Sequence, residues 1–350
     1  MSKFLSEKLK DLDPYVPGEQ PKNREYVKLN TNESPFPPSP YAMRLAREAA
    51  GDVNLYPDPD CRVLVDAEAE TFGVSTENVI FNNSSDETLN FAFFCFCDGK
   101  RGAAFPDITY GFYKVFAELY GIDYKEIPLK DDFSINVDDY IGLNRTIFIA
   151  NPNAPTGILL SLADIEKIAA GNPENVVVID EAYIDFGGES AIELTKKYDN
   201  LLVVRTFSKS RSLAGGRLGF AIGSKALISD LNALKYSTNP YSVNRMTMAA
   251  GQGALLDREY FDSCCKKIIE NREYLVEKLK AMGFSMTDST ANFIFAKSDK
   301  IPGKELYLKL KEKGVLVRHF DKERLTDFVR ITVGNIDEIN ALLKAIGEII

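Results

Sequence analysis

Histidine is almost missing: among 350 residues the one example is His319. A single imidazole leaves a His-based triad open but cannot supply a cluster of histidine metal ligands. An enzyme made from this chain is therefore expected to take its proton-transfer group from another residue type. Cysteine is sparse, with five residues and no C-x-x-C spacing, which speaks against zinc and for buried thiols. Cys95 and Cys97 flank Phe96 in an apolar stretch, while Cys264 and Cys265 sit inside a helical pattern. No metal is expected. No apolar run approaches the ~20 residues that a bilayer span needs. The opening MSKFLSEKLKDLDPY has neither a long apolar core nor a small-residue cleavage site, so no export signal is read and a cytoplasmic location is expected. Basic blocks are absent and the formal net charge is -9. That argues against nucleic acid or an anionic membrane as the main partner. Internal repeats and low-complexity tracts are lacking as well.

What remains is a chain long enough for two domains, with hydrophobic and charged fractions of 45% and 27%, ordinary values for a globular protein. It is organised around Leu201 to Phe220, LLVVRTFSKSRSLAGGRLGF. A short apolar run reads as a strand buried on both faces. Just past it come Ser208 and Lys209, then Ala214-Gly215-Gly216-Arg217 at the start of a second apolar run. Open α/β sheets bind ligands at that edge. Small neighbours allow a planar ligand close to the backbone, and Arg217 could clamp a phosphate through its planar fork.

The same alternation of apolar run and helical stretch extends over most of the chain. Val79-Ile80-Phe81 precedes Ser84-Ser85-Asp86-Glu87, a capped helix start whose free amides can also hold an anion. Gly102 to Phe105 precedes Thr109-Tyr110-Gly111-Phe112-Tyr113. Arg145 to Ala150 ends in Asn151-Pro152-Asn153-Ala154-Pro155-Thr156-Gly157, a rigid turn at a strand's carboxyl end. Val176 to Ile179 runs into Asp180-Glu181-Ala182-Tyr183, and an acid there is costly to bury without a cationic partner. Strands separated by helices predict βαβ units and a mainly parallel sheet. After about Asn244 a long helix and short strands predict a smaller α+β domain. The expected layout is an N-terminal arm over 1–30 packing with the small domain, a large domain over 31–245 and the small domain over 246–350.

Taken together, these edge residues describe a pyridoxal 5′-phosphate site. It needs a lysine that condenses with the aldehyde, an acid that keeps the pyridine nitrogen protonated, a stacking aromatic, and a phosphate cradle. Each motif alone is weak, and their order is what makes the set specific.

In that order the sequence resembles the fold type I pyridoxal-phosphate-dependent aminotransferases, more narrowly the histidinol-phosphate aminotransferase family, from about Tyr15 to Ile350. The likeness rests on Leu29-Asn30-Thr31-Asn32-Glu33-Ser34-Pro35, Tyr56-Pro57-Asp58, Ser85-Asp86-Glu87 and Asp107-Ile108-Thr109-Tyr110-Gly111. It rests too on the Asn-Pro-x-x-Pro-Thr-Gly turn, Asp180 to Tyr183, Thr206 to Lys209, Leu213 to Arg217, and Arg330-Ile331-Thr332-Val333-Gly334. The resemblance implies a seven-stranded large sheet between helices. It implies that Lys209 carries the cofactor, Asp180 pairs with its ring nitrogen, Tyr110 stacks on the ring and Tyr183 contacts the 3′-oxygen. Ser85, Asp86, Thr206, Ser208 and Arg217 are implied around the cofactor, and Tyr56 is implied to reach the phosphate of the other subunit in a homodimer. Tyr15, Asn32, Arg318 and Arg330 are implied on the substrate side.

Two positions depart from the family pattern. Ala154 stands where an asparagine is usual, so Asn153 or Asn151 takes over its role or Tyr183 acts alone. Ser84 stands where glycine is usual, so a left-handed backbone there would be strained. Arg211, two residues past the lysine, is either a charge near the site or part of an ion pair. The activity implied is amino-group exchange between L-histidinol phosphate and 2-oxoglutarate, with Lys209 moving the proton. An aromatic or broad-range aminotransferase, a lyase acting on threonine phosphate, and a non-catalytic cofactor-binding protein are the alternatives.

Overall fold

A computed structural model describes residues 2–10 and 12–350, so Met1 and Asp11 of the expected arm lie outside the described residues. In chain order the strands are β1 (Val27–Lys28), β2 (Val79–Asn83), β3 (Gly102–Pro106), β4 (Tyr124–Ile127), β5 (Arg145–Ala150), β6 (Val177–Asp180) and β7 (Leu201–Thr206). They continue with β8 (Leu218–Gly223), β9 (Phe284–Met286), β10 (Phe293–Ser298), β11 (Val315–Leu316), β12 (Arg318–His319) and β13 (Phe328–Thr332).

Seven strands form one sheet in the order β2-β8-β7-β6-β5-β3-β4. All neighbours are parallel except at β8, which runs against both β2 and β7. Both faces of this sheet are covered. Ile147, Ile149, Val177, Ile179, Leu201 and Val203 pack into one core, while Phe148, Val178, Leu202 and Val204 pack into the other. That period of two explains why the central strands read as unbroken apolar runs rather than alternating ones.

The arrangement has one consequence for the site. The carboxyl ends of β3, β5, β6 and β7 share an edge, so Tyr110, the Asn151 turn, Asp180 and Lys209 emerge together. β2 ends there too and feeds the helix α1 (Ser84–Phe96). Because β8 is reversed, it begins at this edge, and Arg217 precedes its first residue.

A four-stranded antiparallel sheet, β12-β13-β10-β9, forms with the helix Arg258–Ala281 around a second core containing Ile268, Leu275, Phe293, Ile294 and Ile331. The N-terminal arm binds this body. β1 pairs in parallel with β11, the hydroxyl of Tyr307 donates to Glu19 at 2.6 Å, and Lys311 pairs with the same carboxylate. One boundary differs from the sequence expectation. The helix Arg245–Leu256 puts Met248, Ala250 and Ala254 in the large layer's core, and a Cβ on Gly253 would lie 2.6 Å from the backbone of Ala42. The change of layer therefore falls at about Asp257, because a helix that close-packed cannot belong to the other body.

Candidate active site

Lys209 stands three residues past β7 in a turn closed by Leu213 N–H donating to the carbonyl of Phe207 at 3.0 Å. Its neighbour Ser210 donates to Asp185, which also pairs with Arg205 of β7. The lysine turn is thus stapled to the segment that follows Asp180. Two cavities meet at Lys209. The inner one, about 130 Å³, is bounded by Asp180, Ser208, Arg217 and the start of α1. The outer cleft, about 420 Å³, is bounded by Tyr15, Asn32, Arg318 and Arg330. Tyr110, Ala154, Tyr183 and Lys209 line both.

In the inner cavity Asp180 accepts from the hydroxyl of Tyr113 at 3.0 Å through one oxygen, and its other oxygen is buried with no partner among the described residues. Burial pushes this carboxyl up to about 7. A buried acceptor left empty costs about 1–3 kcal/mol, so the site is built for a cation that the chain itself does not provide. At the other end Arg217 donates to Ser84 Oγ at 2.8 Å and pairs with Asp86, whose carboxylate also accepts from Tyr110 at 2.8 Å. Ser208 Oγ is buried and unpartnered. A Cβ on Gly219 would lie 2.3 Å from Ser85 N, so glycine is what lets β8 pass over the amides that open α1.

Ser84 does adopt the left-handed backbone, φ 70°. That costs about 1–2 kcal/mol for a residue with a Cβ, and its hydroxyl compensates by accepting from Arg217 and from Asp86 N at 3.2 Å.

The outer cleft carries two arginines. Arg318 and Arg330 are paired directly opposite each other on β12 and β13. Arg330 gives one bond, to the carbonyl of Asn30 at 3.1 Å, and its Nε is buried without a partner. Burial and the neighbouring Arg318 hold its pKa below the ordinary guanidinium value. Arg318 lies over the Phe320 ring and donates to the carbonyls of Val16 and Pro17. Among the described residues no carboxylate pairs with either. Two like charges placed opposite each other destabilise a sheet, and an anion between them reverses the sign. Tyr15 stacks on Phe112, 4.2 Å between ring centroids, and closes the cleft from the arm.

Several expected residues fall elsewhere. Asn153 does not line either cavity: its amide donates to the Ile108 carbonyl and to Thr156, and its oxygen accepts from Thr109. Asn151 is likewise consumed by Leu160. Neither replaces the amide missing at Ala154, because both hold the turn itself. Arg211 points away from the site, over Phe261 at 4.3 Å, and donates to the Ala254 carbonyl. His319 stacks on Tyr307 and meets the Thr326 carbonyl at 2.9 Å. Tyr56 is 78% exposed and lines no part of its own chain's two cavities. Thr206 lines the inner cavity and accepts from Ser208 N at 3.1 Å. Tyr113 was not foreseen. It lies in the first turn of the helix Phe112–Tyr120 and meets Tyr110 edge-on, 5.7 Å between ring centroids. All five cysteines are free, and Cys95 alone is not buried.

The residues present fit pyridoxal phosphate. The unfilled oxygen of Asp180 suits a protonated ring nitrogen. Ser208, Arg217 and the α1 amides suit a phosphate, and Lys209 stands between them. Fold and cavity together define an enzyme that does its chemistry on amino groups. The model of the family "Aminotransferase class I and II" matches residues 24–346, and the chain belongs to that family. It is 50% identical over 352 residues to histidinol-phosphate aminotransferase of Brachyspira hyodysenteriae, covering 100% of this chain and 99% of that one. It is 46% identical over 351 residues to the enzyme of the same name from Clostridium acetobutylicum, with both chains fully covered. Among solved structures, histidinol-phosphate aminotransferase from Sinorhizobium meliloti in complex with pyridoxal-5′-phosphate superposes with TM-score 0.90. It has 23% identity and covers 100% of this chain and 98% of that one. At that identity the likeness speaks for the fold.

Proposed function

We propose that the protein transfers the amino group of L-histidinol phosphate to 2-oxoglutarate, giving imidazole-acetol phosphate and L-glutamate, with pyridoxal phosphate as cofactor. The observation that carries this reading is the pair Arg318 and Arg330, opposed at the mouth of the lysine cavity with no carboxylate pairing either among the described residues. One pocket has to accept a phosphate from the first substrate and a carboxylate from the second. Guanidinium forks bind both in two-point fashion. The names of the full-length relatives support the choice of substrate.

Pyridoxal phosphate, when bound, supplies an aldehyde that condenses with amines and a ring that takes up the electron pair left when a proton departs. Asp180 would hold a proton at the ring nitrogen. Arg217, Ser208 and the amides of Ser85 and Asp86 would bind the phosphate, while Tyr110 and Tyr183 orient the ring. Lys209, at the junction of the two cavities, would take the proton from the substrate's amino-bearing carbon and deliver it to the carbon that carried the cofactor's aldehyde. Arg318, Arg330 and Tyr15 orient the substrate and exclude water. Incubation with both substrates tests this: equimolar glutamate and imidazole-acetol phosphate are expected, and consumption of the donor without glutamate points to a lyase instead.

Arg330→Lys should weaken both substrates while leaving cofactor binding normal. Removing a buried charged contact costs roughly 2–5 kcal/mol, so KM should rise at least about 30-fold for each. Titration of both half-reactions checks it, and a defect in one alone would separate the two anion sites.

Assembly follows from Tyr56. Its ring stacks on Tyr241 at 4.6 Å, and Val53, Leu55, Met246 and Leu256 are exposed apolar residues. This supports a symmetric homodimer in which each Tyr56 completes the other subunit's phosphate pocket. Tyr56→Phe should weaken cofactor binding about 10- to 100-fold, the value of a hydrogen bond to a charged group. Mixed dimers of Lys209→Ala with Tyr56→Phe should regain one normal site. Mixed dimers with no recovered affinity would show that the sites are not shared.

A further inference from the structure

Tyr183 is one of four residues lining both cavities, and among the described residues its hydroxyl has a single partner, Asn32. Asn32 is 1% exposed and holds a left-handed backbone, φ 54°, a conformation that asparagine tolerates better than most residues. Its Nδ2 lies 3.0 Å from the Tyr183 oxygen. Asn32 N–H donates to Thr332 Oγ1 at 2.9 Å, and Thr332 Oγ1 in turn donates to Asn32 Oδ1 at 3.2 Å. That reciprocal pair sets the orientation of the amide. With the amide reversed, the buried Thr332 hydroxyl would lose its acceptor. Nδ2 therefore faces Tyr183 as a donor, so the phenol accepts on that side and keeps its own proton for the cavity.

The other shared residues offer no substitute. Tyr110 gives its proton to Asp86, and Ala154 carries only a methyl group. Asn32 is moreover held from behind, since its carbonyl accepts from Asn292 at 3.1 Å. Its backbone N–H, its carbonyl and both side-chain polar atoms are engaged inside the protein, which holds it in place at the edge of the outer cleft.

We propose that Asn32 is a positioning residue that fixes the Tyr183 hydroxyl as a hydrogen-bond donor toward the bound cofactor. This rests on the cofactor reading above. The charged and titratable groups around that hydroxyl are Lys209, 5.7 Å from the ring, together with Arg330, Tyr15 and Tyr113.

The test uses the holoprotein without substrate and follows the pH midpoint of its visible absorbance. Tyr183→Phe removes the donor and should raise the midpoint by about one unit or more, the effect of one hydrogen bond to a charged oxygen. Asn32→Gly keeps the left-handed backbone and removes only the amide. It should raise the midpoint in the same direction, and the double variant should go no further than Tyr183→Phe. Asn32→Asp, which accepts where asparagine donates, should shift it at least as far as Asn32→Gly. A merely structural residue would lower stability without moving the midpoint. An unshifted midpoint in Asn32→Gly, or full additivity in the double variant, overturns the proposal. If the unaltered protein shows no visible band, the cofactor reading is what fails. The pair is then judged by thermal unfolding of the apoprotein, where additive losses from Asn32→Gly and Tyr183→Phe overturn the contact.

Discussion

Lys209→Ala is expected to abolish amino-group transfer and to bleach the protein. Lys209 carries the one amine among the four residues that line both the inner and the outer cavity, so in the proposed mechanism it serves the covalent link and the proton transfer at once. Loss of turnover should be on the order of 10⁶-fold or more, the lower end of what enzymes contribute. Colour gives a second readout. Borohydride treatment of the unaltered holoprotein should leave the cofactor's mass on the peptide containing Lys209, and the variant should show none. Near-normal turnover in Lys209→Ala would remove the mechanism altogether.

Asp180→Asn should act with opposite signs on activity and on stability. An amide cannot hold a proton at a ring nitrogen, so turnover should fall by about 10³-fold or more. The cofactor-free protein, however, should gain stability. The folded carboxyl titrates at about 7 because it is buried, against about 3.9 in an unfolded chain. Between those values the folded state holds a proton that the unfolded state has lost. The unfolded state binds fewer protons, and stability therefore falls as pH rises through that window and levels off above it. Each unit is worth about 1.4 kcal/mol. Apoprotein carrying Asp180→Asn should melt above the unaltered apoprotein at pH 8, with the gap closing toward pH 4. A constant gap across that range would mean that Asp180 is not the titrating group.

The layout was legible wherever chemistry repeats along the chain. Apolar runs of four to six residues marked β5, β6 and β7, because a sheet covered on both faces leaves no polar side. The residues just past them, Asp180 and Lys209, were then placed at one edge by topology alone. Three-dimensional consequences of side-chain choice were not legible. Asn153 sits beside Ala154 in sequence, yet its amide is spent on Ile108 and Thr156, which only the folded turn reveals. Tyr113 is hidden for the same reason, since a tyrosine in a helix reads as core until Asp180 is seen opposite it. Arg211 is near Lys209 in sequence, which left it open as a site charge or part of an ion pair, but the folded turn carries its guanidinium over Phe261, away from the site. The helix Arg245–Leu256 shows the limit of boundaries drawn from rhythm, because a change of pattern need not coincide with a change of core.

The most direct measurement is a single-turnover half-reaction on the holoprotein, comparing L-histidinol phosphate with L-histidinol. The two differ only in the phosphate that Arg318 and Arg330 are proposed to bind. L-Histidinol phosphate is expected to convert the visible band with an efficiency at least about 30-fold above that of L-histidinol, the lower bound for a buried charged contact. Equal efficiency for the two donors would contradict the assignment of both the anion pocket and the substrate.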